Sequence, residues 1–145
     1  MDRLLDEART GPRYLAMPEI AGLVVDAIQY RSQAGMYELH SYSVMPNHVH
    51  LLVTPAVPVS QLMQSLKRHT AREANLVLGL TGRPFWQDEC FDRLVRGQEE
   101  FQRIARYIEW NPVRAGLVTA PDDFDWSSAG PSTTRPQAAS LPHML

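Results

Sequence analysis

A single cysteine, Cys90, among 145 residues leaves no partner for an internal disulfide and suits a reducing cytoplasm. Apolar runs are short as well. None approaches the roughly 18 residues that a membrane-spanning helix requires, and no signal-peptide pattern opens the chain, so no membrane partner is expected. The eight glycines are scattered and build no Gly-rich phosphate loop, which argues against a nucleotide cofactor. Positive charge is in short supply: 14 Lys and Arg face 16 Asp and Glu, a formal net charge of −2. Broad electrostatic affinity for nucleic acid is therefore not expected, and any phosphate contact has to be local. The charge is uneven, with residues 58–118 carrying a surplus of two positive charges and each flank a surplus of two negative ones. No internal repeat is present. What the chain does have is 44% hydrophobic content, enough for one domain with a core.

The most informative stretch is 42–53, two short apolar segments around a Pro46-Asn47 turn, the second opening with His48-Val49-His50. Successive side chains on a strand point to opposite faces, so His48 and His50 project from one face while Val49, Leu51 and Val53 take the other. Two neighbouring imidazoles offer nitrogen lone pairs to one divalent cation, although the same spacing also suits ordinary polar-face residues.

Some sixty residues on, Phe101, Ile104, Ala105 and Ile108 fall at i, i+3, i+4 and i+7, the buried stripe of an amphipathic helix. Tyr107 lies roughly 110° from the centre of that stripe, at its boundary, where a ring packs while its hydroxyl reaches a cleft. Asn111 follows one turn later and about 40° away, so both polar tips look the same way. Pro112 disfavours helical geometry at Asn111 and is expected to close the helix there.

Elsewhere, residues 2–9 read as weakly helical and Thr10-Gly11-Pro12 as a break. A helix is expected over 18–35, strands over 37–45 and 48–54 joined as a hairpin, and a helix over 60–78 with Leu62, Met63, Leu66, Thr70, Ala74 and Val77 inward. A strand over 90–96 precedes the tyrosine helix at 98–111. His40 is placed on one strand face with Tyr42, in a structural role. Phe85 and Trp86 follow a turn and either stack on a base or, the reading preferred here, anchor the loop by apolar packing. From Pro121 the composition turns to Pro, Ser, Thr and Ala, and 127–145 reads as a flexible tail after a domain spanning 1–126.

Three ordered blocks carry a resemblance: Met45-Pro46-Asn47-His48-Val49-His50-Leu51-Leu52, Phe85-Trp86-Gln87, and Tyr107-Ile108-Glu109-Trp110-Asn111-Pro112-Val113-Arg114-Ala115-Gly116-Leu117-Val118. Together they resemble the REP-associated tyrosine transposases, part of the HUH group of single-strand DNA transposases with one catalytic tyrosine. The resemblance implies an α+β, ferredoxin-like (split βαβ) fold, an antiparallel sheet with helices packed on it. Family members place a strand before the first helix, at the sheet centre. Met1-Asp2-Arg3-Leu4-Leu5 does not alternate as such a strand should, so the first strand is expected to be missing. The gap would be left open, filled by 13–17, or filled by a second copy in a homodimer.

What the resemblance implies chemically is cleavage and rejoining of single-stranded DNA by transesterification. Tyr107 would attack a backbone phosphorus, leaving a 5′-phosphotyrosine and a free 3′-hydroxyl. Phenols titrate near about 10, so such a nucleophile needs help at neutral pH. His48, His50 and Asn111 would hold the divalent cation, and a ligand set of two nitrogens and one oxygen with open positions suits Mg²⁺ or Mn²⁺. Single-stranded or hairpin DNA would be the partner. Lys67, Arg68 and Arg72, on the polar side of the 60–78 helix, read either as a solvated face or as contacts to the DNA backbone. His69 beside them is core-edge or phosphate-facing, and Trp110 packs the tail or stacks on DNA. Two alternatives stand beside this reading. Without its first strand the domain could be a catalytically inactive or domesticated single-stranded nucleic-acid-binding module. A water-using metallohydrolase would normally gather further His or Asp ligands, where Leu51 and Leu52 follow His50 instead.

Overall fold

Leu4 and Leu5, adjacent in sequence, point into two different cores. The computed structural model describes residues 1–7, 13–86 and 91–131, and in it Arg3–Glu7 is a strand, β1. It is followed by helix α1 (Pro18–Gln33), the hairpin strands β2 (Tyr37–Met45) and β3 (His48–Pro55), helix α2 (Val59–Leu78), strand β4 (Phe91–Leu94) and helix α3 (Gly97–Arg114). The sheet order is β2-β3-β1-β4, and every pairing is antiparallel. This is the ferredoxin-like, split βαβ arrangement, complete in one chain.

The expected deficit of a first strand is therefore wrong, as is the weak helix over 2–9. Arg3–Glu7 occupies the centre, pairing Leu5 with Leu51 and Leu4 with Leu52 on β3, and Leu4 with Arg93 on β4. The reason it was illegible is that both faces of the sheet are covered. Leu5 is fully buried with α1 and α2, whereas Leu4 packs with Leu52, Val95, Ile104 and Ile108 under α3. A strand buried on both sides reads as consecutive apolar residues, not as an alternation. Residues 13–17 do not fill a strand position either. Tyr14–Ala16 is a 3₁₀ turn, with the Leu15 N–H donating to the Pro46 carbonyl at 2.9 Å.

The larger core lies between the sheet and α1 with α2. Pro18 at the first helical position starts α1, and Ile20, Val24, Ala27 and Ile28 form its buried stripe. The two helices are joined by the buried Arg31, whose guanidinium donates to Ser65 Oγ at 3.0 Å and to the Ser65 carbonyl at 3.2 Å. Thr70 donates to the Leu66 carbonyl and accepts the Trp86 indole N–H at 2.9 Å, so Phe85 and Trp86 do anchor their loop in this core.

Three local expectations change. The β2 ladder shifts register between Leu39 and Ser41, so Tyr37, Leu39, Tyr42 and Val44 all join the larger core. His40 is thereby separated from Tyr42: its ring meets Phe101 of α3 edge-on at 5.0 Å and its Nε2 lies 2.7 Å from Thr54 Oγ1. Pro112 does not close α3, which runs on to Arg114. Gly116, at φ +78°, closes it instead, with Gly116 N–H donating to Val113 and Leu117 N–H to Pro112 in a Schellman arrangement. Within the last turns Pro112 removes only one helical donor. Finally, Ser127 and Ser128 are not loose. Ser127 bridges Ser43, the Ser128 N–H donates to the Tyr42 carbonyl at 2.9 Å, and Ser128 Oγ donates to Glu109 at 2.8 Å. Cys90, the Thr10-Gly11-Pro12 break and residues 132–145 of the expected tail lie outside the described residues.

Candidate active site

β3 runs between β2 and β1, with His50 opposite Ser43 on one side and the backbone of Asp6 on the other. Its even-numbered side chains face α3 and its odd-numbered ones face α1 and α2. His48 and His50 consequently share a face, as their spacing implies. Their Nε2 atoms lie 3.1 Å apart, with ring centroids at 4.7 Å and planes at 79°. His50 is buried and His48 half-buried.

Asn47, from the hairpin turn, sets the tautomer. Its Oδ1 accepts a hydrogen bond from His48 Nδ1 at 2.9 Å, which leaves the His48 Nε2 lone pair facing His50. Two nitrogens each about 2.1 Å from one ion and at right angles would be separated by about 3.0 Å, so the observed span fits a shared divalent cation. Among the described residues no group of three or more His, Cys, Asp or Glu side chains gathers around a common point.

The tyrosine helix supplies the opposite wall. The Tyr107 ring meets His50 at 5.9 Å between centroids, with planes at 68°, and nearly half of its surface is open to solvent. Packing by Ile104 and Ile108 fixes the helix on the sheet and leaves Tyr107 at its rim. Asn111 stands one turn further on, half-buried, and its side chain makes no hydrogen bond among the described residues. Arg114 was not anticipated. Its guanidinium covers the Tyr107 ring at 4.4 Å and donates to the Tyr107 carbonyl at 2.6 Å. The seven-residue separation, two helical turns, was the available signal.

Lys67, Arg68 and Arg72 are not brought to this site. They lie on α2, on the far side of the sheet from the histidines, with Lys67 half-buried and both arginines exposed. Arg72 lies 3.9 Å from Glu73. His69 beside them is half-buried, and burial first, then the Arg31 charge, holds its pKa below the ordinary value.

The sequence pattern of the IS200-like transposases matches residues 16–111. The chain belongs to that family. As an IS200-like transposase it is tied to DNA transposition, and its fold agrees with two solved structures. One is a REP-associated tyrosine transposase bound to a REP hairpin, 18% identical, with a TM-score of 0.67 over 88% of this chain and 75% of that one. The other is a transposase candidate from Deinococcus radiodurans R1, 23% identical, with a TM-score of 0.55 over 75% of this chain and 88% of that one. Comparison with curated protein sequences found no match. No helix among the described residues of this transposase is long and apolar enough to cross a membrane.

Proposed function

We propose that this transposase cleaves and rejoins single-stranded DNA through a covalent bond to Tyr107. The observation that carries the reading is the Tyr107 ring against His50, whose Nε2 faces that of His48 at 3.1 Å. The Tyr107 oxygen attacks a backbone phosphorus. A bond from that oxygen to phosphorus forms, the bond from phosphorus to the 3′ oxygen breaks, and the phenolic proton is released as the 3′-hydroxyl is protonated. The phosphotyrosine keeps the phosphodiester linkage, so a returning 3′-hydroxyl reverses the step without a nucleotide cofactor. His48 and His50, with Asn111 as an oxygen ligand, would hold Mg²⁺ or Mn²⁺, which supplies Lewis-acid polarisation of the phosphate when bound. Asn47 orients the first imidazole and the Ile104 and Ile108 packing holds the tyrosine helix in place.

The partner in this reading is single-stranded DNA next to a hairpin. The solved relative bound to a REP hairpin supports it, and Lys67, Arg68 and Arg72 on the opposite layer are assigned to the hairpin backbone. A homodimer is not needed to complete the sheet, because β1 is supplied by the same chain. With one cysteine, the cytoplasm suits the chain.

The test incubates the protein with end-labelled single-stranded hairpin DNA and Mg²⁺ or Mn²⁺, followed by a denaturing gel. The wild type should yield a slow band that survives denaturation, and Tyr107→Phe should lose it while still binding. A wild type that binds but never forms the adduct would favour the inactive binding module instead.

A further inference from the structure

Helix α3 has a second exposed feature beyond the site. At about 100° per residue, Arg103, Arg106, Tyr107, Trp110 and Arg114 fall within one arc of about 100°, turned away from the buried stripe. Tyr107 is 48% exposed and Trp110 44%, unusual for large rings on a polar face. The only carboxylate between Arg103 and Arg114 is Glu109, which lies outside the arc and accepts the Ser128 hydroxyl. Glu99 opens the arc one turn before Arg103, at the end remote from Tyr107. Glu100 beside it is occupied by Arg93 and by the Arg96 N–H. A chain with net negative charge has thus gathered exposed arginines around an exposed indole, next to the proposed nucleophile.

Resting on the Tyr107 reading, we infer that this outward face of α3 carries the single-stranded flank of the DNA being cut, with a base stacked on Trp110 and phosphates on Arg103 and Arg106. Interleaved aromatic and basic side chains are what sequence-tolerant strand binding needs, since every base has a π-face and every nucleotide a phosphate. Trp110 sits one turn beyond Tyr107, so a strand leaving the scissile phosphate meets it directly. The arc from Arg103 to Arg114 spans about 16 Å along the helix axis, room for a short run of nucleotides. This also accounts for the exposure of Trp110.

The test uses the Tyr107→Phe protein, so that binding is measured without covalent capture, and a labelled oligothymidylate of about 12 nucleotides. Trp110→Ala should weaken binding about 5- to 100-fold, while Trp110→Phe keeps a stacking ring and most of the affinity. The double change Arg103→Gln with Arg106→Gln should reduce the slope of log affinity against log salt by about 1.4. DNA should quench tryptophan fluorescence in the parent and not in Trp110→Phe. Affinity within about twofold of the parent for Trp110→Ala overturns the inference. So does conversion of a dimer to a monomer by Trp110→Glu with DNA binding unchanged, which would make the face a protein interface. The denaturing-gel adduct of the otherwise wild-type chain is scored separately, so failure of this surface and failure of the Tyr107 reading give different results.

Discussion

Arg114 lies over the ring of Tyr107, its guanidinium carbon 4.4 Å from the ring centroid and one N–H on the Tyr107 carbonyl. The pair couples the last turn of α3 to the residue proposed to react. An exposed cation–π contact is worth only about 0.5–1 kcal/mol, so its importance lies in restricting the ring more than in stability. Arg114→Ala should slow adduct formation roughly tenfold, with Arg114→Lys intermediate, while non-covalent DNA affinity changes much less. Single-turnover rates against binding isotherms separate the two. An unchanged rate in Arg114→Ala would remove the positioning role.

Metal binding should depend on both imidazoles and on the amide that orients one of them. Calorimetric titration with Mn²⁺ should show binding lost in His48→Ala and in His50→Ala. Asn47→Ala should weaken it about 10- to 100-fold, the usual effect of removing a partner behind a ligand. Mn²⁺ binding that survives the double histidine change would place the cation elsewhere.

β1 should be indispensable. Leu5 is fully buried against β3 and the larger core, so Leu5→Ala should cost about 2–5 kcal/mol in urea unfolding. Leu4 is only partly buried, and the same change there should cost less. Equal and negligible effects at both positions would contradict a central strand.

Stability should fall as the pH drops below about 6.5, in part through His69. Burial and Arg31 disfavour its charged form in the fold, so its folded pKa lies below the ordinary 6.5. Between those two values the unfolded chain binds a proton that the folded chain does not, and stability therefore rises with pH across that window. His69→Gln should flatten this part of a stability-versus-pH curve. A mutant whose curve steepens there would reverse the sign of the shift.

Much of the site was legible because it depends on local periodicity. A two-residue repeat put His48 and His50 on one strand face, and a 3.6-residue repeat put Tyr107 and Asn111 on one side of a helix. The hairpin, the three helices and their antiparallel sheet follow from the same patterns, aided by Gly and Pro punctuation. The limits are as specific. The bulge in β2 that separates His40 from Tyr42 leaves no mark in the side-chain pattern, because one slipped register exchanges the faces. Pro112 suggested an end to α3, yet the Schellman closure at Gly116 set it.

By itself, then, the sequence determined which side chains share a face within each element, because that follows from backbone geometry over a few residues. Only the tertiary structure decided which faces meet. Covering both sides of the sheet turned the unpatterned Leu4-Leu5 into the core of a central strand. Packing α3 across β3 brought Tyr107 to His50 over more than fifty residues of chain. Placing α2 on the opposite layer kept Lys67, Arg68 and Arg72 away from the histidines, a separation fixed by burial of apolar surface from three distant segments at once.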